Sequence, residues 1–91
     1  MVGIKEAVSA ANQFINEVYS TTFPDLMLEE IARSEDDKYW LVTLGFTREA
    51  TYRNALQAAL GNASKERERV YKTIKVDVET GQPIAMQMRK I

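Results

Sequence analysis

Tyr39-Trp40-Leu41-Val42-Thr43-Leu44-Gly45-Phe46-Thr47 is the stretch on which the fold turns. Successive side chains of a strand point to opposite sides, so Trp40, Val42, Leu44 and Phe46 share one face and Tyr39, Leu41, Thr43 and Gly45 the other. This period of two predicts a strand whose first set meets a second layer of structure. The layer is supplied upstream. From Ile4 to Tyr19 the apolar residues Ile4, Ala7, Val8, Ala11, Phe14, Ile15, Val18 and Tyr19 recur at helical steps, with Lys5, Glu6, Ser9, Gln13, Asn16 and Glu17 filling the opposite side. The spacing predicts an amphipathic helix, ended by Ser20-Thr21-Thr22-Phe23-Pro24 because proline and β-branched residues disfavour its continuation.

Working outward, Leu26 to Ser34 reads as a strand joined to the first stretch by the polar turn Glu35-Asp36-Asp37-Lys38. Arg67 to Glu79 alternates again, with Val70, Ile74, Val76 and Val78 on one side and Tyr71, Thr73, Lys75 and Asp77 on the other; Lys72 interrupts the apolar set. Glu79-Thr80-Gly81-Gln82 is a turn whose glycine can take positive φ. Pro83 to Lys90 returns as a fourth strand with Ile84, Met86 and Met88 on one face. Between the two hairpins, Tyr52, Ala55, Leu56, Ala59 and Leu60 have helical spacing and Gly61-Asn62 suits a helix end, so a short helix or a flap is expected within Arg48 to Glu66. A chain of 91 residues forms one domain around one core. The expectation is a single α+β domain over residues 1–91, an N-terminal amphipathic helix packed on a four-stranded antiparallel sheet.

Tyr39-Trp40-Leu41-Val42-Thr43-Leu44 and Val76-Asp77-Val78-Glu79-Thr80-Gly81-Gln82-Pro83-Ile84 resemble the strand and the strand, turn, strand ending of PepSY-like and cystatin-like domains. With the helix, the resemblance covers most of the chain. It implies a helix lying across a curved antiparallel sheet, and a role in inhibiting or regulating a partner. PepSY-type domains are usually exported or attached to proteases. This N-terminus, Met-Val-Gly-Ile-Lys-Glu-Ala-Val, shows no basic region followed by an apolar run, and its reading is cytoplasmic.

Composition narrows the chemistry. Without cysteine there is no disulfide, thiolate metal site or cysteine nucleophile, and without histidine the usual general base and commonest transition-metal ligand are missing. None of Ser9, Ser20, Ser34 and Ser64 stands in a Gly-x-Ser-x-Gly setting, and Gly45 and Gly61 are too isolated for a phosphate loop. The reading is non-enzymatic, with no cofactor. Charged residues interrupt every apolar run well short of the roughly 20 needed to span a bilayer. Asn62-Ala63-Ser64 matches a glycosylation acceptor by chance in a cytoplasmic chain.

Three constellations remain. Glu29, Glu30, Glu35, Asp36 and Asp37 are acidic, but a calcium ion takes about six to eight oxygens from an ordered, glycine-containing loop that is absent here, so they read as a solvated turn and no metal is expected. From Arg48 to Lys75, seven cations stand against Glu49, Glu66 and Glu68. Arg48, Arg53, Arg67 and Arg69 are the candidates for gripping an anion, closed over by the flap. The same cations beside Tyr52 and Tyr71 could meet a nucleic-acid backbone, although the net charge of −1 makes no global case for that partner. Trp40 and Phe46 belong to the core. The other face of the sheet holds Tyr39, Leu41, Thr43, Tyr71 and Thr73, a patch a single helix cannot cover. It gives the leading expectation, a module that binds a protein partner or forms a homodimer.

Overall fold

A computed structural model describes residues 1–49 and 67–88, with Glu49 and Arg67 described in their backbone alone. The element order is helix α1 (Ile4–Tyr19), then strands β1 (Met27–Arg33), β2 (Tyr39–Glu49), β3 (Arg67–Asp77) and β4 (Pro83–Met88). The strands form one antiparallel sheet in the order β1-β2-β3-β4, and α1 packs across β2, β3 and β4. This is the expected α+β architecture. Arg48 and Glu49, expected to open the connection between the hairpins, instead extend β2 and pair with Glu68 and Arg67. The short helix or flap expected there, with Tyr52, Ala55, Leu56, Ala59 and Leu60, falls on residues 50–66, outside the described residues, as does the end of the fourth strand at Lys90.

The helix stops where its backbone can close on itself. Ser20 takes the left-handed conformation at φ 53°, its N–H reaching Glu17, while the Thr21 N–H reaches the Asn16 carbonyl. This pair of bonds is a Schellman ending, with serine where glycine is usual. Ala7, Ala11 and Ile15 from α1, Val42, Leu44 and Phe46 from β2, and Ile74 and Val76 from β3 are all fully buried. The two alanines let the helix lie close to the sheet, and truncating Ile15 to alanine in so tight a contact would cost about 2–5 kcal/mol. Tyr19 and Phe23 close one end of the core, their ring centroids 5.5 and 4.3 Å from that of Phe46. Phe46 is thus a core residue as expected. The apolar stripe of α1 is wider than the seam it fills, for Ile4 and Val18 remain exposed at its two ends.

Trp40 does more than pack. Its indole N–H donates to the Val2 carbonyl at 3.1 Å, the Val2 N–H donates to Val78 at 2.8 Å, and the Arg33 guanidinium sits 4.2 Å from the ring centroid. The residues ahead of the helix are thereby fastened to one end of the two central strands.

Both hairpin turns are built by their own side chains. In the first, Asp36 accepts from the Ser34 hydroxyl at 2.6 Å and from the Lys38 N–H at 3.1 Å, and Asp37 is left-handed at φ 59°. In the second, the Asp77 carboxylate accepts from the N–H groups of Glu79 and Thr80, and Gly81 takes φ 74°. The Asp77 bonds end β3 two residues earlier than the alternation suggests.

Two bulges adjust the sheet. In β1 the register slips at Glu29, between Leu28 and Glu30. In β4, Ile74 faces Met86 and Lys75 faces Ala85, but Val76 faces Pro83, leaving Ile84 as the extra residue. Ile84 and Met88 were expected to share an apolar face with Met86. Met86 packs on the core, whereas Ile84 is 51% and Met88 71% exposed, one displaced by the bulge and the other beyond the helix's cover.

A patterned outer face on β2 and β3

With α1 holding the inner face, the outer face of the sheet is set by register. Tyr39 stands opposite Asp77, Leu41 opposite Lys75, Thr43 opposite Thr73, Gly45 opposite Tyr71 and Thr47 opposite Arg69. Tyr39, Leu41, Thr43, Tyr71 and Thr73, singled out by their alternation, therefore come together on two adjacent strands. Among the described residues no second layer lies over them.

The centre of this face is tied across the two strands by a hydrogen bond. The hydroxyl oxygens of Thr43 and Thr73 are 2.9 Å apart, and Thr43 is only 1% exposed. A polar group that deep needs a partner, and the opposite strand supplies it. Beside this pair, the Lys75 ammonium lies 4.4 Å from the Tyr39 ring centroid, a diagonal cross-strand contact that lays an aliphatic stem across the sheet.

One end of the face is closed by ions. Arg69 donates to Asp25 at 2.9 Å and to Glu29 at 3.1 Å, and its guanidinium is 5.9 Å from the Tyr71 ring centroid. Gly45 makes room for this arrangement, since a Cβ there would stand 2.9 Å from Arg69 Nη2 and 3.0 Å from Glu29 Cγ. The β1 bulge brings Glu29 onto this face. Asp25 also accepts from the Thr47 N–H at 3.1 Å. Its carboxyl is held below the ordinary aspartate value, chiefly by hydrogen bonds from the Thr47 side chain and backbone, with Arg69 adding attraction. Desolvation would lower the Arg69 pKa, but Glu29, Tyr71 and Asp25 together hold it above its ordinary value.

Of the four arginines considered for anion binding, the two whose side chains are described, Arg48 and Arg69, lie on opposite faces of the sheet. Arg48 is on the inner face, 3.3 Å from Glu68 and with its guanidinium 6.0 Å from the Tyr19 ring centroid. Arg69 is on the outer face between two carboxylates. The two cannot close on one anion from opposite sides of a sheet, and each already has acidic partners. Arg53 and the side chain of Arg67 lie outside the described residues. Of the acidic cluster, Glu29 serves Arg69 and Asp36 serves the first turn, and the described residues contain no group of three or more ligands able to hold a metal ion. No helix among the described residues is long and apolar enough to cross a membrane.

Sequence reasoning named Arg69 but missed its partners. Asp25 is 44 residues away in the chain, and no periodicity connects a loop aspartate to a strand arginine. A usable signal was Gly45, since an isolated glycine inside a strand marks a bulge or a close approach. Comparison with family models, curated proteins and solved structures gave no match.

Proposed function

We propose that this protein is a non-enzymatic interaction module that associates through the outer face of β2 and β3, with a second copy as its first partner. The observation that carries the reading is the contiguous patch of half-buried Tyr39, Leu41, Tyr71 and Thr73 around the buried Thr43, over which no described residue forms a layer. Aromatic and aliphatic side chains fixed on a sheet lose little conformational freedom when covered, which favours association. The Thr43–Thr73 hydrogen bond and the Arg69 ion pairs hold the surface in shape beforehand. The resemblance to PepSY-like and cystatin-like domains supports a role exerted on a protein partner.

Hydroxyl-radical footprinting at low and high protein concentration tests this. Tyr39 and Tyr71 should lose labelling as concentration rises, while Met1 at the exposed N-terminus stays equally reactive. Tyrosine labelling that does not change with concentration would overturn the proposal.

A further inference from the structure

β4 is an edge of the sheet, and among the described residues no strand lies beyond it. The direction of its backbone groups follows from β3. The Val78 N–H donates to the Lys38 carbonyl on the β2 side, and the Asp77 N–H to the Gln82 carbonyl on the β4 side. Even-numbered residues along β3 therefore bond toward β2 and odd-numbered ones toward β4. Thr73 and Lys75 stand opposite Gln87 and Ala85. Ala85 and Gln87 thus direct their backbone groups to β3, and Met86 and Met88 aim theirs at the open edge.

The two edges of the sheet differ. β1 carries Glu29, Glu30 and Arg33 and a bulge at Glu29, the features that blunt an edge against a further strand. β4 holds no charged residue, and past Pro83 and the bulge at Ile84 it runs regularly to Met88. The two apolar side chains it leaves exposed, Ile84 and Met88, are placed symmetrically about Met86.

We infer that β4 is a second interaction surface whose occupant is β4 of a second copy, paired antiparallel about a two-fold axis at Met86. That register sets the outward backbone of Met86 against its own mate and brings Met88 of each copy beside Ile84 of the other. It satisfies the open N–H and C=O groups, covers both exposed apolar side chains and opposes no like charges. Two four-stranded sheets become one continuous sheet, and the outer face stays available for the contact proposed above, on which this seam does not depend. With both contacts formed and their two-fold axes crossing at right angles, four chains assemble in dihedral symmetry.

Sedimentation equilibrium of the wild type and of single variants separates the two contacts. Met88→Lys places a charge on an already exposed side chain, and Met88→Pro removes an N–H that β3 does not use. Each should halve the mass of the assembly with an unchanged far-ultraviolet circular dichroism spectrum. Leu41→Glu, which acts on the outer face, should also halve it, and the Leu41→Glu, Met88→Lys double variant should be a monomer. In concentrated wild type, the Met86 and Met88 amides should be protected from hydrogen exchange and lose that protection on dilution, while Ala85 and Gln87 keep theirs. A Met88→Lys assembly of wild-type mass overturns the β4 seam whatever Leu41→Glu does. An effect of Met88→Lys with none of Leu41→Glu retains the seam and removes the outer-face contact, and a monomeric wild type removes both.

Discussion

Thr43 and Thr73 face each other across β2 and β3 with their hydroxyl oxygens 2.9 Å apart, in the middle of the sheet face that α1 does not cover. Thr43→Val leaves the Thr73 hydroxyl without this partner, and Thr73→Val leaves the buried Thr43 short of one bond. Each single change should cost about 1–3 kcal/mol, and the double change less than the sum of the two, because no orphaned hydroxyl then remains. Urea unfolding of the three variants gives the cycle. Strict additivity would show that the two hydroxyls do not interact.

The Asp25 carboxyl, held low by Thr47 and Arg69, makes stability depend on acid. A group whose pKa is depressed on folding contributes stability above its unfolded value, and that contribution is lost as the pH falls through the folded value. Asp36, held low chiefly by the Ser34 hydroxyl, acts in the same direction. Stability should therefore decline as the pH drops from about 5 toward 2, and Asp25→Asn should show a shallower decline than the wild type. Identical slopes for the two proteins would show that Asp25 does not contribute to the acid dependence.

Trp40 ties the N-terminal residues to the sheet through the Val2 carbonyl. Trp40→Phe keeps a ring beneath Arg33 but removes the donor, so stability should fall by about 1 kcal/mol or somewhat more. The Val2 amide, which donates to Val78, should also exchange faster. An unchanged urea midpoint with undiminished protection at Val2 would contradict this role.

How far the sequence revealed the molecule depended on the range of each interaction. Val42, Leu44 and Phe46 alternate cleanly, and Ala7, Ala11 and Ile15 follow a helical step, so the two layers and their contact were legible from local period alone. The outer patch was legible for the same reason, being the other half of the β2 and β3 alternation. A bulge breaks that period by a single residue and leaves no mark in composition. Local period therefore groups Glu29 with an acidic turn cluster and sets Ile84 on one face with Met86, although the first turns to Arg69 and the second to solvent. The Asp25–Arg69 and Trp40–Val2 contacts depend on which strands neighbour each other, a property of topology that adjacent residues do not encode.

Sedimentation equilibrium of the wild type and of Leu41→Glu asks whether the outer face of β2 and β3 is the site of self-association, because Leu41 lies in the patch and outside the buried core. The wild type should be self-associated at micromolar concentration, and Leu41→Glu should halve the assembly mass while its circular dichroism spectrum stays the same. A wild type that remains monomeric at high micromolar concentration, or a folded Leu41→Glu variant with the wild-type mass, would contradict the outer face of β2 and β3 as the site of self-association.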